Sequence, residues 1–198
     1  MEENRTVTEN QIQLYDLDRD DLASYLKDLG EPSYRAEQIW EWLYVHLADS
    51  VDEMTNLPKS LRQTLAERAR LSLLKVVDTA RSVDGRTRKD LLQLPDGETI
   101  EAVLMRYERR RTACLSTQVG CAMGCPFCAT GQMGLHRDLS SGEIVAQALH
   151  FARHLQARDE RLTNVVLMGM GEPLANYTAS LEAIRRLTDP QGFRLGQR

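Results

Sequence analysis

Apolar residues recur at helical spacing over the first seventy positions, at alternate positions over about the next fifty, and then in blocks that switch between the two periods. From Asp18 a helix is signalled. Asp18 or Asp20 can accept at its start, Leu22, Leu26 and Leu29 share one face, and Gly30 suits a left-handed stop. A second helix opens at Pro32-Ser33, with Ala36, Ile39, Trp40, Leu43 and Leu47 as its apolar stripe and Trp42 and Tyr44 on a flank; a third runs from about Pro58 to Arg70 on Leu61, Leu65 and Ala69. Three short amphipathic helices make a small bundle. Paired helices with a tight turn also dock nucleic acids, although core packing alone explains these. Residues 1–15 carry no stable pattern and are expected to lie loosely.

After Leu71 the period becomes two. Leu73–Thr79, Lys89–Leu94, Thr99–Met105 and Ala113–Val119 read as strands, with Asp84-Gly85 and Asp96-Gly97 as hairpin turns, because glycine accepts the positive φ that such turns demand. Ser140 with Glu143 three residues on forms a capping box before Ile144, Ala148, Phe151 and Leu155. Asn164–Met168 is a continuous apolar strand of the kind buried on both faces of a parallel sheet, a helix fits about Tyr177–Leu187, and Asp189-Pro190-Gln191-Gly192 turns. The expected fold is α/β: a helical domain over residues 1–71, then, over 72–198, a β meander leading into a parallel barrel or sheet with its site at the carboxyl ends of the strands. Two parallel strands leave apolar faces and edges uncovered, so residue 198 is not the expected natural end of such a fold.

The 42% apolar content is ordinary for a globular core. No apolar run approaches the roughly eighteen residues that a membrane span needs, and the start Met1-Glu2-Glu3-Asn4-Arg5 is no secretory signal, so the expectation is a soluble cytoplasmic protein with no membrane partner. A net charge of −4 by itself argues against nucleic acid. The charge is uneven, however: residues 1–60 hold 14 acids against 5 bases, whereas 61–120 hold 12 bases against 8 acids. The bases of that middle stretch cluster as Arg81, Arg86, Arg88 and Lys89 and as Arg106 and Arg109–Arg111, patches that can track a phosphate backbone or be plain charged loop tips.

Three of the four cysteines fall within eight residues, at Cys121, Cys125 and Cys128. A run this short puts three soft ligands on one loop, a metal clip. Gly124 and Pro126 hold the turn open, and Phe127 places a ring between two ligands where a cluster needs apolar cover. Three cysteines on a four-iron cluster leave one iron for substrate or cosubstrate. Three other readings stand beside it, of which three inert buried cysteines is the weakest. Disulfides are disfavoured by the reducing compartment that few cysteines and no signal peptide suggest. A zinc site completed by His136 or Cys114 is the serious rival.

The C-x3-C-x2-C spacing, with an aromatic before the last cysteine, resembles the signature of radical S-adenosylmethionine enzymes. Gly169-Met170-Gly171-Glu172-Pro173 resembles their strand-end motif, in which glycines let backbone approach a ligand and Glu172 offers an acceptor to the cosubstrate's ammonium group. Finer matches are Tyr34-Arg35-Ala36-Glu37-Gln38-Ile39, Cys114-Leu115-Ser116-Thr117-Gln118-Val119-Gly120-Cys121, and Leu174 after the Gly-Met-Gly-Glu-Pro run. These resemble the RlmN/Cfr RNA methyltransferases over residues 14 to 198.

That resemblance implies a 4Fe–4S cluster on Cys121, Cys125 and Cys128, S-adenosylmethionine held with the help of Gly171 and Glu172, and a partial βα barrel behind an N-terminal helical domain. It implies ribosomal RNA and transfer RNA as partners, an electron donor of the flavodoxin-reductase type, and methylation of adenine at carbon 2, or at carbon 8 as in the resistance branch. In the family a distant cysteine carries the methyl group as an intermediate; none of these residues corresponds to it, which implies no complete methyl transfer by this chain alone. Cys114 matches the second cysteine, which releases product by forming a disulfide. Glu101 matches the proposed proton acceptor, with Cys114 its competitor. Each has a plainer reading as well: strand alternation turns Glu101 to solvent, Cys114 is a small buried hydrophobe, and Met168 and Met170 pack.

Overall fold

The computed structural model describes residues 11–71 and 74–196. Asp18 accepts the Asp21 N–H at 2.8 Å and starts α1 (Arg19–Asp28), which Gly30 closes at positive φ. α2 (Tyr34–Tyr44) and α3 (Lys59–Arg68) follow, and Leu22, Leu26, Ile39, Leu43, Leu61 and Leu65 are buried between them. The stretch just before α1 is not loose as expected. Ile12–Gln13 (β1) pairs in parallel with Ala69–Arg70 (β2), and Leu14–Asp16 forms a 3₁₀ turn with Leu14 and Tyr15 buried. Two adjacent apolar residues anchored by a non-local pairing leave no periodic trace. Residues 1–10 lie outside the described residues.

The meander consists of β3 (Lys75–Arg81), β4 (Thr87–Gln93) and β5 (Thr99–Arg106), all antiparallel. Its turns are the expected Asp-Gly pairs: Asp84 and Asp96 accept the N–H groups of Arg86 and Glu98 at 3.0 Å, and Gly85 and Gly97 have positive φ. Leu73, the expected first residue of β3, lies outside the described residues. The chain continues through β6 (Arg111–Cys114), β7 (Gln118–Gly120), the short α4 (Ala129–Gln132), β8 (Leu135–Asp138), α5 (Ser141–Gln156), β9 (Asn164–Val166) and α6 (Tyr177–Thr188). The five strands β3-β4-β5-β6-β9 form one open sheet in that order, with β9 joining β6 in parallel through the α5 crossover, and β7 and β8 form a separate hairpin.

Ser140 and Glu143 make the reciprocal cap of α5. Leu92, Ile100, Ala102, Leu104 and Ala113 share one sheet face and are at most 1% exposed, in one core with Ile144, Ala148, Phe151 and Leu155 of α5. Burying such a face is the main stabilising contribution to the fold, at about 1.5–3 kcal/mol per large side chain. Asp90 is fully buried on this same face, bonded to Thr79 Oγ1 at 2.7 Å, Arg88 Nε at 2.8 Å and His150 Nε2 at 2.7 Å, so its charge is met from three sides. The helical segment is seated on α5. Asp16 accepts the Gly142 N–H at 2.6 Å at the start of α5, and Arg153 donates to the carbonyls of Leu47 and Ala48 at 2.7 and 3.0 Å.

Candidate functional site

The strand expected over Ala113–Val119 is interrupted after Cys114, because the chain changes partners. Leu115 N–H donates to Val166 C=O at 2.9 Å, Gly169 N–H to Leu115 C=O at 3.0 Å, and Thr117 N–H to Met170 C=O at 2.8 Å. Residues 115–118 therefore run against the Gly169–Pro173 loop, and the clip begins three residues later. Ser116 is fully buried. Its hydroxyl donates to Glu101 C=O at 2.6 Å and accepts Met170 N–H at 2.9 Å, while Gln147 of α5 holds its backbone N–H and C=O at 2.8 and 3.0 Å. Asn176 Nδ2 bonds the carbonyls of Thr117 and Leu139, each at 2.8 Å. Ser116 and Thr117 lie in a matched motif, whereas Gln147 and Asn176 lie in none; the signal of Gln147 was polarity inside an otherwise apolar stretch, and Asn176 gave none.

The glycines of the strand-end loop let two segments of the chain pass very close to one another. A Cβ at Gly169 would lie 2.7 Å from the Leu115 backbone, and one at Gly171, where φ is +93°, would lie 2.5 Å from Gln118 Cβ. The chain itself fills that room. Glu172 begins a turn in which its own carboxylate accepts the Leu174 N–H at 3.0 Å. β9 is shorter than expected and only half-buried at each residue, since it is the edge of the open sheet.

The clip is a loop closed at its base. Cys121 N–H donates to Gly134 C=O at 2.9 Å, and Gly120, with φ +75°, comes so close that a Cβ there would sit 1.9 Å from that oxygen. Cys121 is buried, Cys125 and Cys128 are half-buried, and all four cysteines are free thiols. Three thiols on one short loop form a donor set suited to a soft metal or an iron–sulfur cluster. Among the described residues no three side chains of His, Cys, Asp or Glu converge as a metal-binding group, so the thiols share a loop without sharing a point. The rival zinc ligands are engaged elsewhere: His136 Nδ1 faces Glu98 at 3.3 Å, and Cys114 lies in the sheet. Phe127 does not cover the clip here, being 89% exposed. Met123, Met133, Met168, Leu174 and Tyr177 are also more than half exposed on or beside the same two loops.

Glu101 and Cys114 stand on the sheet face opposite the core. Cys114 pairs with Val103 and Val166, and Glu101 is two residues from Val103 on the same strand, so pleat alternation places them together. Glu101 is half-buried rather than simply turned to solvent, and its carboxylate meets Lys89 Nζ at 2.7 Å. Its backbone N–H points at Met170 Sδ, 3.3 Å away. Burial pushes the Cys114 thiol above the usual range, an effect that a hydrogen bond from the Met168 backbone partly offsets. The neutral thiol is the resting form.

The basic tips are less free than their sequence suggests. Arg111 makes a two-pronged pair with Glu160 at 3.0 and 3.1 Å, Arg88 is tied to Asp90, Lys89 to Glu101, and Arg86 lies 3.9 Å from Asp84. Arg109 is exposed, and Arg110 lies over the Tyr107 ring. No helix among the described residues is long and apolar enough to cross a membrane.

Residues 12–71 match the family described as ribosomal RNA large subunit methyltransferase N-terminal domain. The chain is 52% identical, over 93% of its length, to a probable dual-specificity RNA methyltransferase RlmN of Chloroflexus aurantiacus, and 51% identical over 93% to dual-specificity RNA methyltransferase RlmN 1 of Myxococcus xanthus. A crystal structure of a radical SAM methyltransferase from Sphaerobacter thermophilus superposes with a TM-score of 0.89 at 48% identity, over 93% of this chain and 54% of that one. The chain spans about half the length of these curated relatives, 50% and 52%. Over the part that it shares with them, the chain belongs to the RlmN family of radical SAM RNA methyltransferases.

Proposed function

We propose that this chain carries the cluster- and cosubstrate-binding part of an RNA methyltransferase that modifies carbon 2 of adenine in large-subunit ribosomal RNA and in transfer RNA, in the cytoplasm. The relatives' activity supports this reading. The observation that carries it is the segment Cys114–Cys121, which joins the clip to the Gly169–Pro173 loop along one run of backbone hydrogen bonds and leaves Glu101 and Cys114 on one face beside that junction. In this reading residues 1–71 are an accessory domain and 72–198 the start of a partial barrel.

Cys121, Cys125 and Cys128 would hold a 4Fe–4S cluster, with three protein ligands leaving one position for S-adenosylmethionine. When bound, the cluster supplies the electron that splits the cosubstrate. Glu172 offers its carboxylate to the cosubstrate's ammonium group and Gly171 sets the turn that presents it. Glu101 is the candidate proton acceptor: its pair with Lys89 is about half exposed, worth roughly 0–1 kcal/mol, and so easily exchanged for a substrate contact. Cys114, held as a neutral thiol, can give up its proton to a base and then attack as a thiolate. The methyl-carrying cysteine and the disulfide partner of Cys114 are placed outside these residues, since the other three cysteines here are the clip. A flavodoxin-type system is the proposed electron donor.

The test is anaerobic reconstitution with iron and sulfide. Four irons per chain with broad visible absorbance are expected; one tightly held zinc would refute the cluster. Methyl-position mapping on RNA treated with a protein that carries these residues within the relatives' full length should give 2-methyladenosine, and a product methylated only at carbon 8 would overturn the position.

A further inference from the structure

Gln118 is 1% exposed, and its carboxamide is used at both ends. Oε1 accepts the Glu172 N–H at 2.9 Å, and Nε2 donates to Asp138 Oδ1 at 2.7 Å. Its Cβ lies under Gly171, so close that no side chain fits between them. Asp138 belongs to β8, whose other end meets β7 at Gly120 and closes the clip. One buried amide therefore spans the two loops on which the site depends, and a buried amide satisfied at both ends has little freedom to shift.

We propose that Gln118 is a positioning residue for S-adenosylmethionine: its Oε1 fixes where the Glu172 carboxylate stands relative to the clip. This rests on the reading that Glu172 takes the cosubstrate's ammonium group. The acceptor is what matters. Methionine at position 118 has nearly the same reach but leaves the Glu172 N–H without a partner. A carboxylate at 118 keeps that acceptor, and pairing it with an amide at 138 reverses the second hydrogen bond without losing it.

The experiment measures S-adenosylmethionine affinity by equilibrium dialysis on the cluster-reconstituted chain, with iron content and melting temperature recorded for each variant. Gln118→Met should raise Kd about tenfold with iron content unchanged. The pair Gln118→Glu with Asp138→Asn should bind within about twofold of the unaltered chain. Glu172→Gln separates the two ideas: if it leaves affinity unchanged, the reading of Glu172 fails. If it weakens binding while Gln118→Met does not, or if the exchanged pair binds as poorly as Gln118→Met, the positioning role is overturned. Should Gln118→Met not fold, the exchanged pair decides alone, and a tenfold loss in it overturns the proposal.

Discussion

One face of the five-stranded sheet is sealed and the other is half open. Leu92, Ile100, Ala102, Leu104 and Ala113 lie in the core with α5, while Lys89, Glu101, Val103 and Cys114, their alternate neighbours, retain access to solvent. The same strands thus serve two purposes a single residue apart. Stability is concentrated on the sealed face, and Glu101 and Cys114, the groups proposed to carry chemistry, stand on the face where substitution disturbs packing least.

The comparison can be tested by perturbing each face. Phe151→Ala, on the sealed side, should lower the unfolding free energy by about 3–5 kcal/mol in a urea titration; a similar cost for Val103→Ala would erase the distinction. Asp16→Ala should cost about 1–3 kcal/mol, because it leaves the Gly142 N–H without its partner at the start of α5, where a negative charge is favoured. Acidification should act on the sealed side too. Burial and the charges of Arg88, Arg158, Arg106 and Arg81 push His154 down to about 4, and burial lowers His150 despite its bond to Asp90. Below about pH 6.5 the unfolded chain then takes up protons that the fold refuses, so stability falls between pH 6.5 and 4. The loss is on the order of 1 kcal/mol after solvent screening of His154, and His154→Gln should flatten part of the slope in melting temperature.

Burial alone would raise the Asp90 carboxyl, but its hydrogen bonds from Arg88, His150 and Thr79 outweigh that and hold it low, so its contribution is full above the ordinary carboxylate range and is lost progressively as the pH falls from there through the depressed value. The open face should respond weakly. Lys89→Ala is expected to change stability by less than about 1 kcal/mol, measured in the same titration. The smallest effect is kinetic. With its thiol raised by burial, Cys114 should react with iodoacetamide at neutral pH a few-fold more slowly than an unburied thiol, and its rate should still be climbing with pH where that of an unburied thiol has levelled off.

Much of this was legible in the sequence because local chemistry forced it. Asp18, the Asp84-Gly85 and Asp96-Gly97 turns and the Ser140–Glu143 cap were found as read, since each is settled within four residues. What failed to show was non-local. The order of Leu14 and Tyr15 depends on α5 more than a hundred residues away, and the break after Cys114 depends on the arrival of Val166 and Met170. The shared face of Glu101 and Cys114 needed the register between two strands. The pairing of Arg111 with Glu160 and of Arg88 with Asp90 drew apparent loop charges into the structure, and nothing in their clustering foretold it.

The contact between Gly120 and Gly134 has a consequence for how the clip would take up the cluster proposed for it. An unanchored segment must first find its own ends, at an entropic cost that must be met before any ligand bond forms. Here β7 and β8 hold those ends together within the folded chain, and the backbone between them is already turned at Gly124. In the proposed reading, loading would then start from a ring that is already closed at its base, with the search of the main chain for its own ends complete before any ligand bond forms.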